Sequence, residues 1–460
     1  MLPPFDLATT CATALDVAVA DAAGAAGLAW RRERRLGALL AGAVRHSPLY
    51  REAFGGAKAL PPLAAFPVAS KAALMARFDD WVTDPALKLH DVQRFVADRT
   101  RIAEPLLGRY TVWESSGSSG EPGLFVQDAA ALAVYDALEA IRRPRRNAWG
   151  AVFEPWRMLR SLVFVGAVDG HFASNVSIER LRRLNPLAAS RVHTVSFLLP
   201  PDELVAQVDG LGPAVLATYP SAAVLLAEEK IAGRLQCRPQ EIWTGGENLT
   251  PAMRKFVAEA FACPVVDSYG ASEFLALACA CRCGRLHLNS DWAILESVDR
   301  AGHAVAPGTV GATTLLTNLA NHVQPLIRYD LGDRTTLHAE PCDCGSALPV
   351  VEVRGRDDDM LQLGNPGSRP ASVLPLALCT VLEEEAGLFD FQIRQLHRCE
   401  LVLSSGPQVA DAVATLARAR QVLSAYLERA GAHGVHIRCV HGESLARSRS
   451  GKVRRVVART

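Results

Sequence analysis

The stretch Glu114–Gly123, ESSGSSGEPG, holds four serines and three glycines within ten residues. Glycines tolerate positive φ and let the backbone approach a ligand closely, while serines add hydroxyl donors. Successive backbone N–H groups in such loops form anion-binding concavities, so the stretch is suited to wrapping a polyphosphate. It lacks the Gly-Lys-[Ser/Thr] ending of a Walker A loop. Composition alone favours the alternative of a flexible connector.

Polar, glycine-containing segments also follow three short apolar runs in the middle of the chain. The runs Ala214–Tyr219, Glu241–Thr244 and Pro264–Ser268 predict strands that alternate with helices. This rhythm implies parallel strands with right-handed crossovers, and ligands bind beyond the carboxyl ends of such strands. The residues at those ends are Thr218–Ser221, Thr244–Glu247 and Tyr269–Glu273.

Helix start signals support this layout. Ser70, Ser221 and Thr250 are predicted N-caps, and Pro251 fits the first helical position after Thr250. A longer helix is predicted over Gln127–Arg143, and Asp16–Leu40 also has apolar residues at helical spacing.

Cysteines indicate a second kind of site. Two short groups, Cys279-Ala280-Cys281-Arg282-Cys283 with the nearby His287, and Cys342-Asp343-Cys344, are separated by a long insert. Two such groups can make one tetrahedral Zn²⁺ site, although C-x-C spacing is tighter than the usual C-x₂-C. Buried free thiols beside a core histidine are the alternative.

Composition limits the class of protein. The chain has 460 residues, 49% of them apolar and 21% charged, with a net charge of +1. It is therefore expected to be globular, with no overall field favouring nucleic acid or an anionic membrane. The chain has no spanning apolar run and no signal-peptide pattern, so a cytoplasmic location is expected. The basic runs at 31–35 and 142–146 are interpreted as solvated charged faces.

The length predicts two or three domains. The charged stretch Arg354–Asp359 is interpreted as a hinge, which divides the chain into residues 1–354 and 355–460. Beyond the hinge, a strand near 389–404, a helix near 409–429 and a strand near 435–440 predict a small α+β domain.

Six motifs, in this order along the chain, resemble those of the adenylate-forming (AMP-binding) superfamily, and within it the phenylacetate-CoA ligase branch. They are Ser115–Pro122, Gly245–Glu247, Tyr269–Glu273, Arg328–Asp333, Gly355–Met360 and Ser450–Lys452. The resemblance implies an α/β fold. It would have a large N-terminal domain of several subdomains with a parallel sheet, and a small mobile α+β C-terminal domain that rotates about a hinge at Asp358.

The resemblance also implies a reaction in two halves. A carboxylate attacks the α-phosphorus of ATP to give an acyl-adenylate and pyrophosphate, and a thiol, usually coenzyme A, then displaces AMP. Two alternatives stay open. One is transfer to the thiol of a carrier protein or to an amine, and the other is a catalytically silent nucleotide-binding homologue.

Roles follow for the residues that match the motifs. The β- and γ-phosphates would be held by Ser115, Ser116, Gly117, Ser118, Ser119 and Gly120. Adenine would lie against Tyr269 and its neighbours Gly270, Ala271 and Ser272, with Gly246 and Glu247 on its other side. Glu273 would hold Mg²⁺, Asp333 and Arg356 would bind the ribose, and Lys452 would stabilise charge at the α-phosphate. Glu121 departs from the pattern, since many relatives carry lysine there.

The same resemblance assigns a structural zinc to Cys281, His287, Cys342 and Cys344, with Cys283 competing for a place. The expected substrate is a small carboxylic acid, with an aryl or arylacetic acid favoured. Val165, Phe172 and Tyr219 are candidates for its pocket, with core packing as the alternative for Val165 and Phe172. The expected acceptor is coenzyme A or an acyl carrier protein, and contact with coenzyme A phosphates is the alternative for the arginines at 142–146. A homodimer is left open.

Overall fold

The computed structural model describes residues 2–54, 61–115, 122–143, 161–353, 361–365, 369–373, 375–388, 391–406, 409, 411–442 and 455–457. The helices, labelled α1 to α14 in chain order, are Leu7–Ala22, Gly24–His46, Pro48–Phe54, Lys71–Ala76, Phe78–Trp81, Leu89–Ala97, Ala129–Arg142, Ala173–Leu184, Pro186–Ala189, Pro201–Leu211, Pro220–Ile231, Pro251–Phe261, Pro375–Ala386 and Ala412–Arg429. The strands, labelled β1 to β20, are Thr111–Glu114, Leu124–Gln127, Leu162–Gly166, Val192–Ser196, Val215–Thr218, Glu241–Thr244, Val265–Ala271, Phe274–Ala280, Leu286–Leu288, Ala293–Val298, Thr313–Asn318, Tyr329–Asp330, Thr335–His338, Val350–Val353, Leu361–Leu363, Ala371–Val373, Phe391–His397, Glu400–Ser405, His436–His441 and Val456–Val457.

A nine-stranded sheet, in the order β13-β14-β9-β8-β7-β6-β5-β3-β4, organises the larger part of the described chain. Its half from β7 to β4 is parallel, and β5, β6 and β7 are the three strands predicted from the sequence. The half from β7 to β13 is antiparallel. The expected α/β fold with a parallel sheet is therefore confirmed, and β7 is the strand at which strand direction changes.

Strand β7 runs further than the sequence predicted. It continues through Tyr269 to Ala271 and turns directly into β8, with a register shift between Tyr269 and Ala271. At Gly270 a Cβ atom would lie 2.0 Å from the carbonyl oxygen of Leu275, so only glycine fits there. The expected polar loop after Ser268 is instead a tight hairpin that starts as a strand.

Helix starts mostly follow the sequence signals. The hydroxyls of Ser70 and Thr250 accept hydrogen bonds from the amides of Ala73 and Met253, each at 3.2 Å. The prediction for Ser221 is wrong, because α11 begins one residue earlier, at Pro220. Another element provides the cap at this end, as described below.

Arg35 and Arg142, one from each basic run, are not solvated as expected, and Arg145 and Arg146 lie outside the described residues. Arg142 is buried and donates to both carboxylate oxygens of Asp291, at 2.6 and 3.1 Å, and to Asp21 at 2.8 Å. Arg35 also donates to Asp291, at 3.1 Å, and its guanidinium lies 3.4 Å from the centre of the Trp292 ring. Because Asp291 is fully buried, these arginines neutralise a charge inside the protein. The network fastens α2 and α7 to the segment before β10.

Residues after 360 form a smaller α+β unit, as expected. The strand predicted near 389–404 is a hairpin, β17 and β18, which is extended on either side by the parallel partners β20 and β19. Helix α13 and the hairpin of β15 and β16 were not predicted. Apolar residues of this unit and of the parallel sheet form one buried cluster. The boundary at 354/355 and the hinge residue Asp358 lie outside the described residues.

None of the described helices is long and apolar enough to cross a membrane.

Replacing Asp291 with alanine should destabilise the protein by about 3 to 5 kcal/mol, because it leaves Arg35 and Arg142 buried without their shared partner. Chemical denaturation followed by circular dichroism measures the change. Asp91 is a matched control, since its side chain is 42% exposed. Asp91→Ala should shift stability by less than about 1 kcal/mol. Similar losses in the two variants would contradict the buried-network interpretation.

Candidate functional site

The serine- and glycine-rich loop is closed at its base by two hydrogen bonds. The amide of Ser115 donates to the carbonyl of Gly123 at 2.8 Å, and the amide of Gly123 donates to the Ser115 hydroxyl at 2.9 Å. Strands β1 and β2 pair just below, with Glu114 opposite Leu124. We call Ser115 and Gly123 the loop neck. The other predicted phosphate-binding residues lie outside the described part of the chain: Ser116, Gly117, Ser118, Ser119 and Gly120, together with Glu121.

Glu273 lies in the turn between β7 and β8, and its backbone is fixed from two sides. The indole of Trp113, on β1, donates to the carbonyl of Ser272 at 2.8 Å. The amide group of Asn318, at the end of β11, donates to the carbonyl of Glu273 at 2.8 Å. These bonds hold the predicted magnesium ligand next to the strand that leads into the loop neck.

The side chain of Glu273 is buried, and burial raises its pKa above the ordinary value. A hydrogen bond from Tyr329 and the charge of Lys71 oppose this rise in pKa, while the charge of Asp333 adds to it. A carboxylate in this setting favours a bound cation, because a cation would offset the cost of keeping it ionised.

Tyr269 and Asp333 meet directly. The hydroxyl of Tyr269 donates to a carboxylate oxygen of Asp333 at 2.9 Å. The structure therefore brings together two residues that the sequence assigned separately to adenine and ribose. Arg356, which was predicted to bind the ribose with Asp333, lies outside the described residues, and so does the predicted catalytic residue Lys452.

Gly246 and Glu247 follow β6 and contact Tyr219 and Ser221, which follow β5. Gly246 has φ of +80°, which favours glycine, and a Cβ atom there would lie only 3.1 Å from the Tyr219 ring. A carboxylate oxygen of Glu247 accepts from the backbone amide of Ser221 at 2.9 Å. Glu247 thus caps α11, the role that the sequence had given to Ser221.

Tyr219 is backed by two phenylalanine rings. The ring centres of Phe164 and Phe197 lie 6.0 and 5.8 Å from that of Tyr219, both in edge-on geometry. Of the three candidate pocket residues, Val165 is fully buried and therefore belongs to the core. Phe172 and Tyr219 are only partly buried and stay candidates.

Three acidic residues at the base of the loop, Glu114, Glu383 and Glu384, were not identified as site residues from the sequence. Burial and the charge of Glu383 raise the pKa of Glu114 to about 7. Burial also raises the pKa of Glu384 to about 7, against the opposing charge of Arg99, which lies 3.4 Å away. Glu383 and Glu384 belong to α13, so this cluster joins the loop base to the C-terminal unit. No local pattern indicates it, because its members are far apart in the chain.

The predicted metal ligands Cys281, His287, Cys342 and Cys344 converge. Their ligand atoms all lie within 4.8 Å of one another. Cys281 and His287 flank the turn from β8 to β9, and the other two lie between β13 and β14. Cys283 stands outside this group, where its amide donates to the sulfur of Cys281 at 3.3 Å.

The spacing of this cluster suits zinc. Tetrahedral Zn²⁺ with Zn–S bonds of about 2.3 Å places its sulfur ligands about 3.8 Å apart. The sulfurs of Cys281 and Cys342 are 3.8 Å apart. Nδ1 of His287 must donate to the carbonyl of Leu348, 2.7 Å away, since a carbonyl can only accept. In the neutral imidazole Nε2 would then be the acceptor, as in zinc-bound histidines, and it lies 3.3 Å from the sulfur of Cys344.

Comparisons with known proteins bear on the family and the fold of the chain. No family model matches the chain. A phenylacetate-coenzyme A ligase from Thermus thermophilus is 27% identical over 274 residues, which cover 57% of this chain and 58% of that ligase. The protein CapK from Staphylococcus aureus is 29% identical over 29% of this chain and 28% of its own length. The chain therefore spans less than two thirds of the length of these relatives.

Solved structures of a 2-hydroxyisobutyryl-CoA ligase share the fold. One, in complex with 2-HIB-AMP and CoA in the thioesterification state, has a TM-score of 0.56 at 23% identity, covering 94% of this chain and 90% of the ligase. Another, in the postadenylation state with R3-HIB-AMP, has a TM-score of 0.53 at 24% identity, covering 92% and 88%. These likenesses show that the chain shares the fold of that ligase over most of its length.

The carboxyls of Glu114 and Glu384 should make stability depend on pH. Each is protonated more readily in the folded chain, where its pKa is about 7, than at its ordinary value of 4.5. Folded protein then binds more protons than unfolded protein between these values, so stability falls as pH rises from about 4.5 to about 7. Glu384→Gln removes one such group, and it should stabilise the protein at pH 8 by up to about 3 kcal/mol, with no gain below about pH 4.5.

Denaturation of both proteins at several pH values tests this expectation. Glu385→Gln is the neighbouring control, because the side chain of Glu385 is 43% exposed. Its difference from the unmodified protein should not vary with pH. A pH-independent difference for Glu384→Gln would show that its carboxyl is not perturbed in the folded state.

Proposed function

We propose that this chain, which is related to the phenylacetate-CoA ligase branch of the adenylate-forming superfamily, activates a small carboxylic acid with ATP and transfers the acyl group to coenzyme A. The observation that carries the proposal is the convergence of Glu273, the Tyr269–Asp333 pair and the loop neck at the strand where the sheet changes direction. Packing alone gives no reason for buried carboxyls to gather beside a glycine-rich loop.

Two displacements make up the proposed reaction. An oxygen of the carboxylate attacks the α-phosphorus of ATP, the bond to the bridging oxygen breaks, and pyrophosphate leaves. The sulfur of coenzyme A, having lost its proton, then attacks the acyl carbon, and AMP leaves. Such chemistry depends on positioning and on charge stabilisation rather than on a protein nucleophile.

Nucleotide binding is assigned to residues that already contact one another. The ring of Tyr269 would lie against adenine, while its hydroxyl holds the carboxylate of Asp333 in place for the ribose hydroxyls. Arg356 would reach the same sugar, and Lys452 would stabilise the charge that develops at the α-phosphate. These last two roles follow from the motif resemblance.

Glu273 is the proposed magnesium ligand. Its buried carboxylate is a hard oxygen donor, and Tyr329 donates a hydrogen bond to it. When bound, Mg²⁺ supplies positive charge to the phosphate oxygens. The chain itself orients Glu273 through the bonds of Trp113 and Asn318 to its turn.

An aryl or arylacetic acid is the proposed substrate class. The partly buried ring of Tyr219, held by Phe164, Phe197 and Gly246, offers a rigid apolar surface beside the strand ends. A carrier-protein thiol or an amine remains the alternative acceptor.

A structural zinc ion is part of the proposal. A donor set of three sulfurs and one imidazole nitrogen, drawn from two hairpins, fills a tetrahedral shell and leaves no position for substrate. Bound there, zinc would tie β8 and β9 to the loop before β14.

Purified protein should contain about one zinc ion per chain, since four soft donors converge. Elemental analysis measures this. Cys342→Ser should lose the metal, because it removes one of the four donors. Cys283→Ser, the matched control, should retain it. A metal-free wild-type protein, or loss of zinc from the Cys283 variant, would contradict the assignment.

Carboxylate-dependent exchange of pyrophosphate into ATP tests the proposed activity. A panel of aryl, arylacetic and short hydroxy acids should reveal at least one acid that supports exchange. Coenzyme A should then release AMP and form the thioester. Lys452→Ala should lower the exchange rate by about a hundredfold or more, because it removes a transition-state charge. It should still convert a supplied acyl-adenylate with coenzyme A.

Other outcomes separate the alternatives. If AMP is released only when a carrier protein or an amine is supplied, that compound is the acceptor in place of coenzyme A. Nucleotide binding without exchange for any acid would favour the silent homologue. Equal loss of both half-reactions in the Lys452 variant would count against the role given to that residue.

A further inference from the structure

Lys71 is held beside the loop neck by a short β-bridge. Ala69, two residues before Lys71, forms this bridge with Tyr329 through two backbone hydrogen bonds. Its amide donates to the carbonyl of Arg328 at 3.0 Å, and its carbonyl accepts from the amide of Asp330 at 2.9 Å. Ser70 then caps α4, and Lys71 is the first residue of that helix. The backbone of Lys71 is therefore fixed to the segment whose tyrosine contacts Glu273.

The stem of Lys71 lies against Gly123 of the loop neck. A Cβ atom on Gly123 would lie 3.0 Å from Cδ of Lys71, so glycine at this position leaves room for the lysine. The ammonium group lies close enough to Glu273 to favour the ionised form of that carboxyl. Lys71 is half-buried, so its charge is only partly screened by water. The lysine thus lies between Gly123, at one end of the loop, and the proposed magnesium ligand.

Negative charge gathers in this region. Of the described side chains assigned so far to the nucleotide and to magnesium, Glu273 and Asp333 are acidic and none is basic. The polyphosphate of ATP would bring further negative charge into the same partly buried space, and unneutralised charge is costly there. Lysine carries a compact ammonium that suits phosphate oxygens.

We propose that Lys71 binds the β- or γ-phosphate of ATP and stabilises the pyrophosphate as it leaves. The inference rests on the proposed function for its ligand. As the bond between the α-phosphorus and the bridging oxygen breaks, negative charge grows on the departing pyrophosphate, and the ammonium of Lys71 neutralises it without transferring a proton. Residues 69–71 then form a phosphate-binding element that lies outside the serine- and glycine-rich loop.

A purely structural lysine would behave differently. If Lys71 served only as the counter-ion of Glu273, its loss would disturb every nucleotide to a similar degree. A phosphate-binding lysine instead distinguishes ATP from AMP, since AMP has no β- or γ-phosphate. The ratio of the two affinities is therefore the informative readout.

Equilibrium binding of ATP and of AMP, with magnesium present, tests the proposal in Lys71→Met and Lys71→Arg variants of the full chain. Lys71→Met should weaken ATP binding about tenfold to a hundredfold, the range for a hydrogen bond to a charged group, and change AMP binding less than about twofold. Lys71→Arg should recover most of the ATP affinity. Lys255→Met is the control, because Lys255 is exposed on α12, and it should change neither affinity.

Pyrophosphate exchange then separates this proposal from the activity itself. Weakened ATP binding in Lys71→Met, with no acid supporting exchange in the wild-type protein, would support the lysine and overturn the ligase. Exchange by the wild-type protein, with ATP and AMP affinities in Lys71→Met unchanged or reduced equally, would overturn the lysine alone. A wild-type chain that binds no ATP would overturn both. Should Lys71→Met fail to fold, Lys71→Gln gives the same comparison with a polar side chain.

Discussion

The carbonyl oxygen of Leu275 passes so close to Gly270 that no side chain is possible there, and this contact sets the geometry of the whole site. It lets β7 leave the parallel half of the sheet and return at once as β8. Tyr269, before the contact, faces Asp333, and Glu273, in the turn, faces Tyr329 and Lys71. The cysteine and histidine cluster follows at the far end of β8. A side chain at Gly270 would separate these groups, because all of them depend on the same tight hairpin.

The buried carboxyl groups of this protein differ in how the cost of their burial is reduced. Asp291 has no exposure to solvent and is shared by Arg35 and Arg142, which come from two helices. Glu114 and Glu384 take another course, since burial raises the pKa of each to about 7. Two arginines thus lie against the carboxylate of Asp291, whereas burial favours the protonated forms of Glu114 and Glu384.

The sequence patterns predicted the three parallel strands and the caps of α4 and α12, because each depends on local spacing or on residue type. The four members of the cysteine and histidine cluster were expected from the family resemblance. The sequence patterns failed where a distant partner decides the outcome. Arg142 reads as part of a solvated run, and only Asp291, far along the chain, shows that it is buried. Ser221 fits a cap by type, yet Glu247 supplies the bond from outside the helix. Lys71 could not be identified as a candidate phosphate-binding residue from the sequence, because only its contact with Gly123 and the bridge from Ala69 to Tyr329 place it near the site.

The Asp291 network also bears on how the chain can be shortened. Helices α1 and α2 look like a leading extension, since they precede the sheet and carry several exposed apolar residues. Their removal would nevertheless strip Asp291 of Arg35, take Asp21 from Arg142 and expose the face of Trp292 on which Arg35 stacks. A gene beginning after residue 46 would thus encode a protein with a damaged interior. For expression or domain grafting, the first two helices belong to the minimal folding unit.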